Sequence, residues 1–404
     1  MITMLAISCG LAWASPHEGT VRLIDQRLEE REVRLVAITD RSMIYEDGRG
    51  LLRREPLTEF LALLPGGSSA APLAGMGSVT LDDGRRFVGS LRRAEDDDSI
   101  AWSHPHFGAF TLALDRLRSI RLRHDAPEEG SPTGSDDLVT LVNGDTISGF
   151  VESLAGGEDN GEVVLDVGGS ARTLPIERVA RIDFATPARP ARGTTVWLAD
   201  GSIVPVRELI VTDSGDLQLT ADLARPSGST EPSLATGGGE PAWRVVLPAA
   251  DLVAVMFNEG ELLALADLPV SMQAPVPPRR WTPGLDRGTA GVLGARDLAL
   301  PGPMVVRWTL PDEAVRACAS ASLPPAMWTW GDGDLIVCEV TSTGTREVFR
   351  ERLWAGRPVL RFNVALSRSP ARELEIRLEP GRFGPIQDHA VLSRAFVLME
   401  RPAR

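Results

Sequence analysis

Apolar and polar residues alternate with a period of two along most of this chain. Phe362, Val364 and Leu366 are separated by polar or small neighbours, and the same spacing recurs downstream in the segment 374–378. This period puts one face of a strand in a core and the other in water. Turn residues such as Ser369-Pro370 interrupt the alternation at short intervals. The pattern predicts an all-β fold of short antiparallel strands.

Four related blocks fill the first two thirds of the chain, and we assign them to residues 20–65 (a degenerate copy), 77–124, 137–184 and 194–257. In the last three, a strand of the type V-x-L leads into Asp83-Gly84, Asn143-Gly144 or Asp200-Gly201. These dipeptides favour tight hairpins because they tolerate positive φ. One such meander buries little by itself, so it is expected to curl into a small β-barrel or to pack on its neighbours. The pattern resembles Sm-like and other small SH3-like barrels.

Three further segments complete the predicted organisation. Residues 226–240 are a low-complexity insert in the fourth block, and the strand-length runs of residues 258–404 predict a β-sandwich. Residues 1–14 predict a signal peptide, because an apolar run precedes Ala12-Trp13-Ala14, which resembles a cleavage site. The alternative is a frayed N-terminus. The signal peptide predicts an extracytoplasmic protein, either periplasmic or secreted. No later run reaches the length of a membrane-spanning helix.

The C-terminal segment resembles the NPCBM family of proposed carbohydrate-binding modules. The matching features are Trp281, Asp286-Arg287, the strand 305–310, the paired strands 360–366 and 374–378, and the ending 384–398. The resemblance implies a galactose-binding-like jelly roll that is exported and binds glycans, and the whole chain resembles architectures common in planctomycete secreted proteins. The family's Gly-x-Gly-x-His-type turn is replaced here by the segment 300–304, which has no His.

The charge balance and the missing motifs argue against several classes of function. The net charge is −13, which disfavours nucleic-acid binding, and all 42 basic residues are Arg. Schiff-base chemistry and P-loop phosphate binding both need a Lys, so these two classes of function are excluded. The G-x-S-x-G, H-E-x-x-H and dinucleotide-binding motifs are absent from the sequence. We therefore predict a protein that is not an enzyme, although the number of Asp and Glu residues leaves a glycosidase carboxylate pair open.

The stretch around Trp328 and Trp330 is the first candidate binding site. Exposed indoles stack on pyranose rings, so the two Trp residues are candidate sugar contacts. Asp332 and Asp334 follow in an alternating Gly-Asp turn and are candidate Ca²⁺ ligands, since hard cations prefer carboxylate oxygens. The alternative is a pair of core Trp residues beside a hairpin turn. No other cofactor is expected.

The second candidate site is the polar group Gln387, Asp388 and His389, which precedes the last predicted strand. At the rim of a sandwich these side chains could hydrogen-bond sugar hydroxyls. The alternative is a turn whose Asp caps backbone N–H groups. His104-Pro105-His106 is a weaker candidate for a metal site, because no third His completes it.

Cys318 and Cys338 lie in two strand-like runs that follow each other along the chain. If those runs pair, the two thiols are close enough for a disulfide in an oxidising compartment. The alternative is that both are small buried residues.

The leading hypothesis is an exported, non-catalytic protein with a C-terminal glycan-binding-like module. The alternative is a structural or protein-interaction component of the cell envelope whose sandwich does not bind sugar, and a calcium-dependent adhesin is a third. The expected partner is accordingly a glycan or an envelope protein.

Overall fold

The computed structural model describes residues 20–39, 41–65, 76–93, 98–123, 135–155, 161–187, 189, 193–211, 216–222, 242–277, 280–281 and 284–400. These ranges form 31 β-strands and seven short 3₁₀ helices and contain no α-helix. The predicted all-β fold, with tandem β repeats before a C-terminal sandwich, is confirmed. The predicted signal peptide (1–14) and the low-complexity insert (226–240) lie outside the described residues. Within the described ranges, no helix is long and apolar enough to cross a membrane.

The chain divides into two compact units. The N-terminal unit holds Arg31–Glu259 together with the chain up to Leu23, and the C-terminal unit holds Gly260–Arg404 together with Ile24–Glu30. A short hairpin segment near the start of the chain thus belongs to the C-terminal unit.

The N-terminal unit contains four repeats of five strands each, with a 3₁₀ helix before the fifth strand. In repeat 1 the strands β1–β5 are Thr20–Asp25, Glu30–Ile38, Ser42–Glu46, Leu52–Pro56 and Phe60–Pro65. In repeat 2 the strands β6–β10 are Gly77–Leu81, Arg86–Arg92, Ser99–His104, Gly108–Ala113 and Leu117–Arg121. In repeat 3 the strands β11–β15 are Asp137–Leu141, Thr146–Ala155, Glu162–Asp166, Ala171–Pro175 and Val179–Asp183. In repeat 4 the strands β16–β20 are Gly193–Leu198, Ile203–Val211, Leu217–Asp222, Ala242–Leu247 and Leu252–Glu259. The 3₁₀ helices are Leu57–Glu59, Leu114–Arg116, Ile176–Arg178 and Ala249–Asp251.

All four repeats have the same antiparallel topology. The first strand of each pairs with both the second and the fifth, and the third and fourth follow outward from the second. Gly84, Gly144 and Gly201 adopt φ angles of 83°, 89° and 92° in the hairpins between the first and second strands. Their lack of a Cβ is what permits these tight turns.

The repeats pair with one another in an order that differs from their order in the chain. Strand β5 of repeat 1 pairs with β20 of repeat 4, where Leu63 faces Val255. Strand β17 of repeat 4 meets β7 of repeat 2, and β10 of repeat 2 pairs with β15 of repeat 3. The contacts therefore run from repeat 1 to 4, then to 2 and then to 3. A single hydrophobic cluster extends through all four repeats.

The C-terminal unit is a sandwich of two antiparallel sheets. Its strands β21–β31 are Leu262–Ala264, Val270–Pro275, Asp286–Ala290, Arg296–Leu300, Met304–Thr309, Ala314–Ser322, Asp332–Thr341, Gly344–Trp354, Val359–Ala365, Glu373–Pro380 and Ala390–Met399. Its 3₁₀ helices are Leu265–Asp267, Val292–Gly294 and Pro325–Met327. One sheet has the order β22-β25-β30-β27-β28. The other has the order β23-β24-β31-β26-β29, with β21 also paired to β31.

Inward-facing residues of both sheets form one core. Trp308 and Ile376 from the first sheet belong to the same buried cluster as Ala319, Leu360 and Phe362 from the second. The alternation seen in the sequence thus separates a shared apolar interior from two polar outer faces, as in aligned sheet packing.

The predicted disulfide between Cys318 and Cys338 is wrong, because both residues are free thiols. Cys318 lies on β26 and Cys338 on β27, and these strands belong to different sheets. The core residues are their immediate neighbours on each strand, such as Ala317 and Val337. Each thiol consequently points to the outer face of its own sheet, away from the other. Burial raises the pKa of Cys318 to about 12.

Candidate functional site

Two loops of the C-terminal unit meet and bring the two candidate stretches together. One loop leads from the 3₁₀ helix Pro325–Met327 into β27, and the other, residues 381–389, joins β30 to β31. The backbone N–H of Trp330 donates to Gln387 Oε1 at 3.1 Å, and the backbone N–H of Asp332 donates to Asp388 Oδ1 at 3.0 Å. Side chains from the second loop therefore hold the backbone of the first.

Two glycines allow this close approach of the loops. A Cβ on Gly331 would lie 2.8 Å from the Gln387 carbonyl oxygen, and one on Gly381 would lie 2.0 Å from the Asp332 carbonyl oxygen. The Gly381 N–H donates to that same Asp332 oxygen at 2.7 Å. The contact leaves no room for a side chain, so the relative position of the loops is fixed by backbone packing.

Trp328 and Trp330 are about half exposed, at 46% and 48% of their surface, so neither is a core residue. The Trp328 Nε1–H donates to the Leu323 carbonyl at 3.0 Å. The Trp330 ring packs edge to face on Phe383 with 5.5 Å between centroids. Both indoles are thus anchored at one side and open to solvent at another.

The predicted Ca²⁺ site at Asp332 and Asp334 is wrong, because arginines occupy these carboxylates. Asp332 is buried and accepts from Arg352 Nε and Nη2 at 2.5 and 2.7 Å, and from the Arg382 N–H at 3.2 Å. Arg352 is the main reason that the pKa of Asp332 is lowered. Asp334 contacts Arg350 at 3.4 Å. In the part of the chain that is described, no group of three or more potential ligands is placed to hold a metal ion.

Asp388 is buried in the second loop, and His389 next to it is half-buried. Asp388 is 3% exposed, and its Oδ2 has no hydrogen-bond partner among the described residues. Burial, together with the nearby charge of Asp332, raises the pKa of Asp388 to about 6. Burial also lowers the pKa of His389. Asp388 binds backbone N–H groups, which is the capping alternative that the sequence left open.

Four further residues, which the sequence patterning did not single out, extend this surface. The guanidinium of Arg382 lies over the Phe383 ring, with 4.4 Å from Cζ to the centroid, and Arg352 lies 5.2 Å from the Trp354 centroid. Such contacts are cation–π interactions. The signal in the sequence was Arg382-Phe383 between two glycines, directly before the polar group that was singled out.

We define the aromatic–arginine surface as Trp328, Trp330, Arg352, Trp354, Arg382 and Phe383. Buried Asp332 lies beneath it and contacts both arginines. The result is a set of flat apolar faces and guanidinium groups supported by one carboxylate. These side chains suit the recognition of a rigid ligand with flat apolar faces.

His104, Asp200 and Ser202 form a separate buried cluster where repeats 2 and 4 meet. His104 Nε2 lies 2.9 Å from Ser202 Oγ and 3.4 Å from Asp200 Oδ2. His104 Nδ1 accepts N–H bonds from His106 and Phe107, so Nε2 carries the proton. A general base would need that nitrogen free. Burial lowers the pKa of His104 to about 3, so this His is a neutral structural residue.

The predicted metal site at His104 and His106 is not formed by the described residues, because both ring nitrogens of His104 are already used within the fold.

A comparison with protein-family models gives no match for this chain, and a comparison with curated proteins gives none either. Among solved structures, the chain is similar to CBM51 from Clostridium perfringens GH95 in complex with methyl-galactose, at 10% identity and a TM-score of 0.26, covering 34% of this chain and 99% of that one. It is similar to tandem CBM51 modules of a family 98 glycoside hydrolase from Streptococcus pneumoniae, at 9% identity and a TM-score of 0.27, covering 51% and 88%. It is also similar to the CBM22 tandem domain of Paenibacillus barcinonensis Xyn10C, at 8% identity and a TM-score of 0.23, covering 91% of each chain. Likenesses with TM-scores of this size carry no conclusion about this chain.

Proposed function

We propose that this chain is an exported, non-catalytic glycan-binding protein whose C-terminal unit carries the binding surface. The observation that supports this most is the pair of half-exposed indoles, Trp328 and Trp330, held by fixed contacts to Leu323 and Phe383. Indole faces stack on the apolar faces of sugar rings, and side chains already ordered lose little entropy on binding.

The resemblance to the NPCBM family also supports a glycan ligand, but with a different contact region. The turn that carries a His in that family lies between β24 and β25 here and contains none. It is a tight backbone turn, with Gly302 at a φ of 117°. We therefore assign glycan contact to the aromatic–arginine surface instead of to this turn.

The surface lacks what acid–base catalysis would need. Both oxygens of Asp332 are bound to arginines, and Asp388 is buried with Oδ1 bound to a backbone N–H. A glycosidase needs two carboxyl groups that reach the scissile bond from opposite sides. This arrangement supports a protein that binds without reacting.

A glycan array probed with the full chain tests the proposal. Trp328→Ala and Trp330→Ala should each weaken binding about tenfold or more, since each removes a stacking face. Trp281→Ala is the matched control, because Trp281 is 69% exposed but is not part of the aromatic–arginine surface. Unchanged thermal unfolding of the variants would show that they fold. If the wild-type chain bound none of the glycans on the array, the proposal would be contradicted.

Export has its own test. Ala12-Trp13-Ala14 supports cleavage after residue 14, so the native protein should begin downstream of that site. N-terminal sequencing of protein from its natural source measures this directly, and an intact Met1 would contradict export by this route.

A second candidate function is that of a protein-interaction component of the cell envelope. It is favoured by Ile386, which is exposed in the same loop as Arg382 and Phe383. Trp and Arg are enriched in protein–protein hot spots, and the exposed Ile386 side chain adds apolar area beside them. In that case the two Trp substitutions would abolish capture of an envelope protein while the glycan array stayed blank.

A further inference from the structure

Arg382 has an unusual combination of order and free hydrogen-bonding capacity. Its side chain is 67% exposed, yet its guanidinium is held 4.4 Å above the Phe383 ring. Its one ionic contact within the described ranges, Nε to Asp332 Oδ2, is 3.8 Å long. Among the described residues no acceptor forms a hydrogen bond with the Arg382 side chain. An Arg stacked on an aromatic ring is already oriented, so few degrees of freedom are lost when it binds an anion.

The charges beneath the surface leave Arg382 without full compensation. Arg352 binds both oxygens of Asp332 at 2.5 and 2.7 Å, whereas Arg382 Nε lies 3.8 Å from the nearer one. Asp334 lies beside Arg350, which also pairs with Glu347 and Glu379. Asp388 is buried and is bound to backbone N–H groups. Arg382 is therefore a surplus positive group on a chain whose net charge is −13.

This surplus cation lies next to an aromatic face. Phe383 contacts both Arg382 and Trp330, so the guanidinium and the Trp330 indole border the same ring. One sugar residue stacked on Trp330 would place a substituent of the same or the adjoining residue beside Arg382. A carboxylate or sulfate there would accept charge-assisted bonds in the forked geometry that guanidinium groups favour.

The geometry points to an anionic saccharide as the ligand, stacked on Trp330 and bound through its carboxylate or sulfate by Arg382. This inference rests on the proposed glycan-binding function and adds the chemical class of the glycan. The charged group distinguishes the expected ligand from the neutral sugars that an aromatic platform alone would accept.

The test compares three probes on the full chain by calorimetry: a uronic-acid trisaccharide, the same trisaccharide with its carboxyl groups reduced to alcohols, and a sulfated trisaccharide. We expect the uronate or the sulfated probe to bind at least tenfold more tightly than the reduced one, because a hydrogen bond between charged groups is lost in the neutral form. Added salt should weaken binding of the charged probes only.

Arg382→Gln should remove the preference for the charged probe and leave binding of the neutral probe unchanged. Arg382→Lys should keep only part of the preference for the uronate, since a Lys ammonium lacks the forked pair of donors of a guanidinium. Arg361→Gln is the matched control, because Arg361 is 63% exposed and also makes one long ionic contact, 3.7 Å to Glu30. It should behave as wild type.

The outcomes separate the two proposals. A preference for the uronate or the sulfated probe that disappears in Arg382→Gln and persists in Arg361→Gln supports the inference, and the stronger of the two probes identifies the anion. Equal binding of charged and reduced probes, unaffected by Arg382→Gln, overturns the inference and leaves the aromatic platform standing. Binding of no saccharide, neutral or charged, overturns the proposed function as well.

Discussion

Two neighbouring carboxyl groups in the C-terminal unit have pKa values shifted in opposite directions. Arg352 lowers the pKa of Asp332, whereas burial and the charge of Asp332 raise that of Asp388. Arginines therefore stabilise the negative charge of Asp332, whereas burial destabilises the carboxylate form of Asp388 directly beside it. Asp388 is retained as a backbone cap, and its carboxylate form costs stability at neutral pH.

We expect Asp388→Asn to change how stability depends on pH. The folded-state pKa of Asp388 is raised to about 6, so the folded protein holds a proton that the unfolded chain has already lost. The stability from this group is present below the ordinary Asp pKa and is lost as the pH rises through about 6. Asn keeps the Oδ1 acceptor and cannot ionise.

Denaturant unfolding of both proteins at pH 5 and pH 7 measures the effect. Relative to Asp388→Asn, the wild-type chain should lose about 1 kcal/mol between pH 5 and pH 7. A wild-type chain that gains stability over this interval relative to the variant would contradict the assignment.

Individual strands and turns are the features that follow most directly from the sequence. The alternation at 360–366 and 374–378 marks β29 and β30, and the Asp-Gly or Asn-Gly pairs mark the first hairpins of repeats 2 to 4. These signals are local, since they depend on the period of burial and on glycine at positive φ. Which sheet a strand joins depends on distant partners, and no local pattern shows it.

The two cysteines illustrate this difference. Their strands follow each other along the chain, yet β26 pairs with β29 and β31 while β27 pairs with β28 and β30. The candidate site shows the same limit. Trp330 and Gln387 are far apart in the sequence and hydrogen-bonded in the structure, and sequence patterning identified each of them without their contact.

We expect Cys318 and Cys338 to be alkylated in the unfolded chain without prior reduction. A disulfide between them would stabilise the fold by about 2–4 kcal/mol, and a reducing agent would then lower the unfolding midpoint. Because the thiols are free, we expect the midpoint to be the same with and without reducing agent. Peptide mass spectrometry after alkylation in denaturant measures both thiols. Recovery of a peptide that links the two residues would contradict the structure.

At the scale of the whole molecule, contacts between repeats make the N-terminal unit a connected body. The cluster of His104, Asp200 and Ser202 joins repeat 2 to repeat 4 and is fully enclosed. Burial holds the pKa of His104 at about 3, so the unfolded chain binds a proton at mildly acidic pH that the folded chain does not. Stability from this cluster is therefore lost as the pH falls below the ordinary His value.

Ser202→Ala should destabilise the protein by about 1–3 kcal/mol. Ser202 Oγ accepts from the buried Val88 N–H at 3.0 Å and contacts His104 Nε2, and its removal leaves the Val88 donor buried without a partner. Ser90→Ala is the matched control, because Ser90 is exposed on β7, the strand that carries Val88, and its substitution should change stability little. Chemical denaturation of the three proteins decides the matter, and equal stabilities would show that the cluster does not join the repeats energetically.

The pairing of β5 with β20 has a consequence for biosynthesis. Residues Phe60–Pro65 emerge from the ribosome early, whereas β20, which covers their outer edge, is the last strand of repeat 4 to be translated. Throughout that interval an apolar strand carries unpaired N–H and C=O groups and is available to other chains. A nascent chain that ends before Leu252 would thus keep an exposed, unpaired strand edge. We expect chaperones to protect this edge during synthesis.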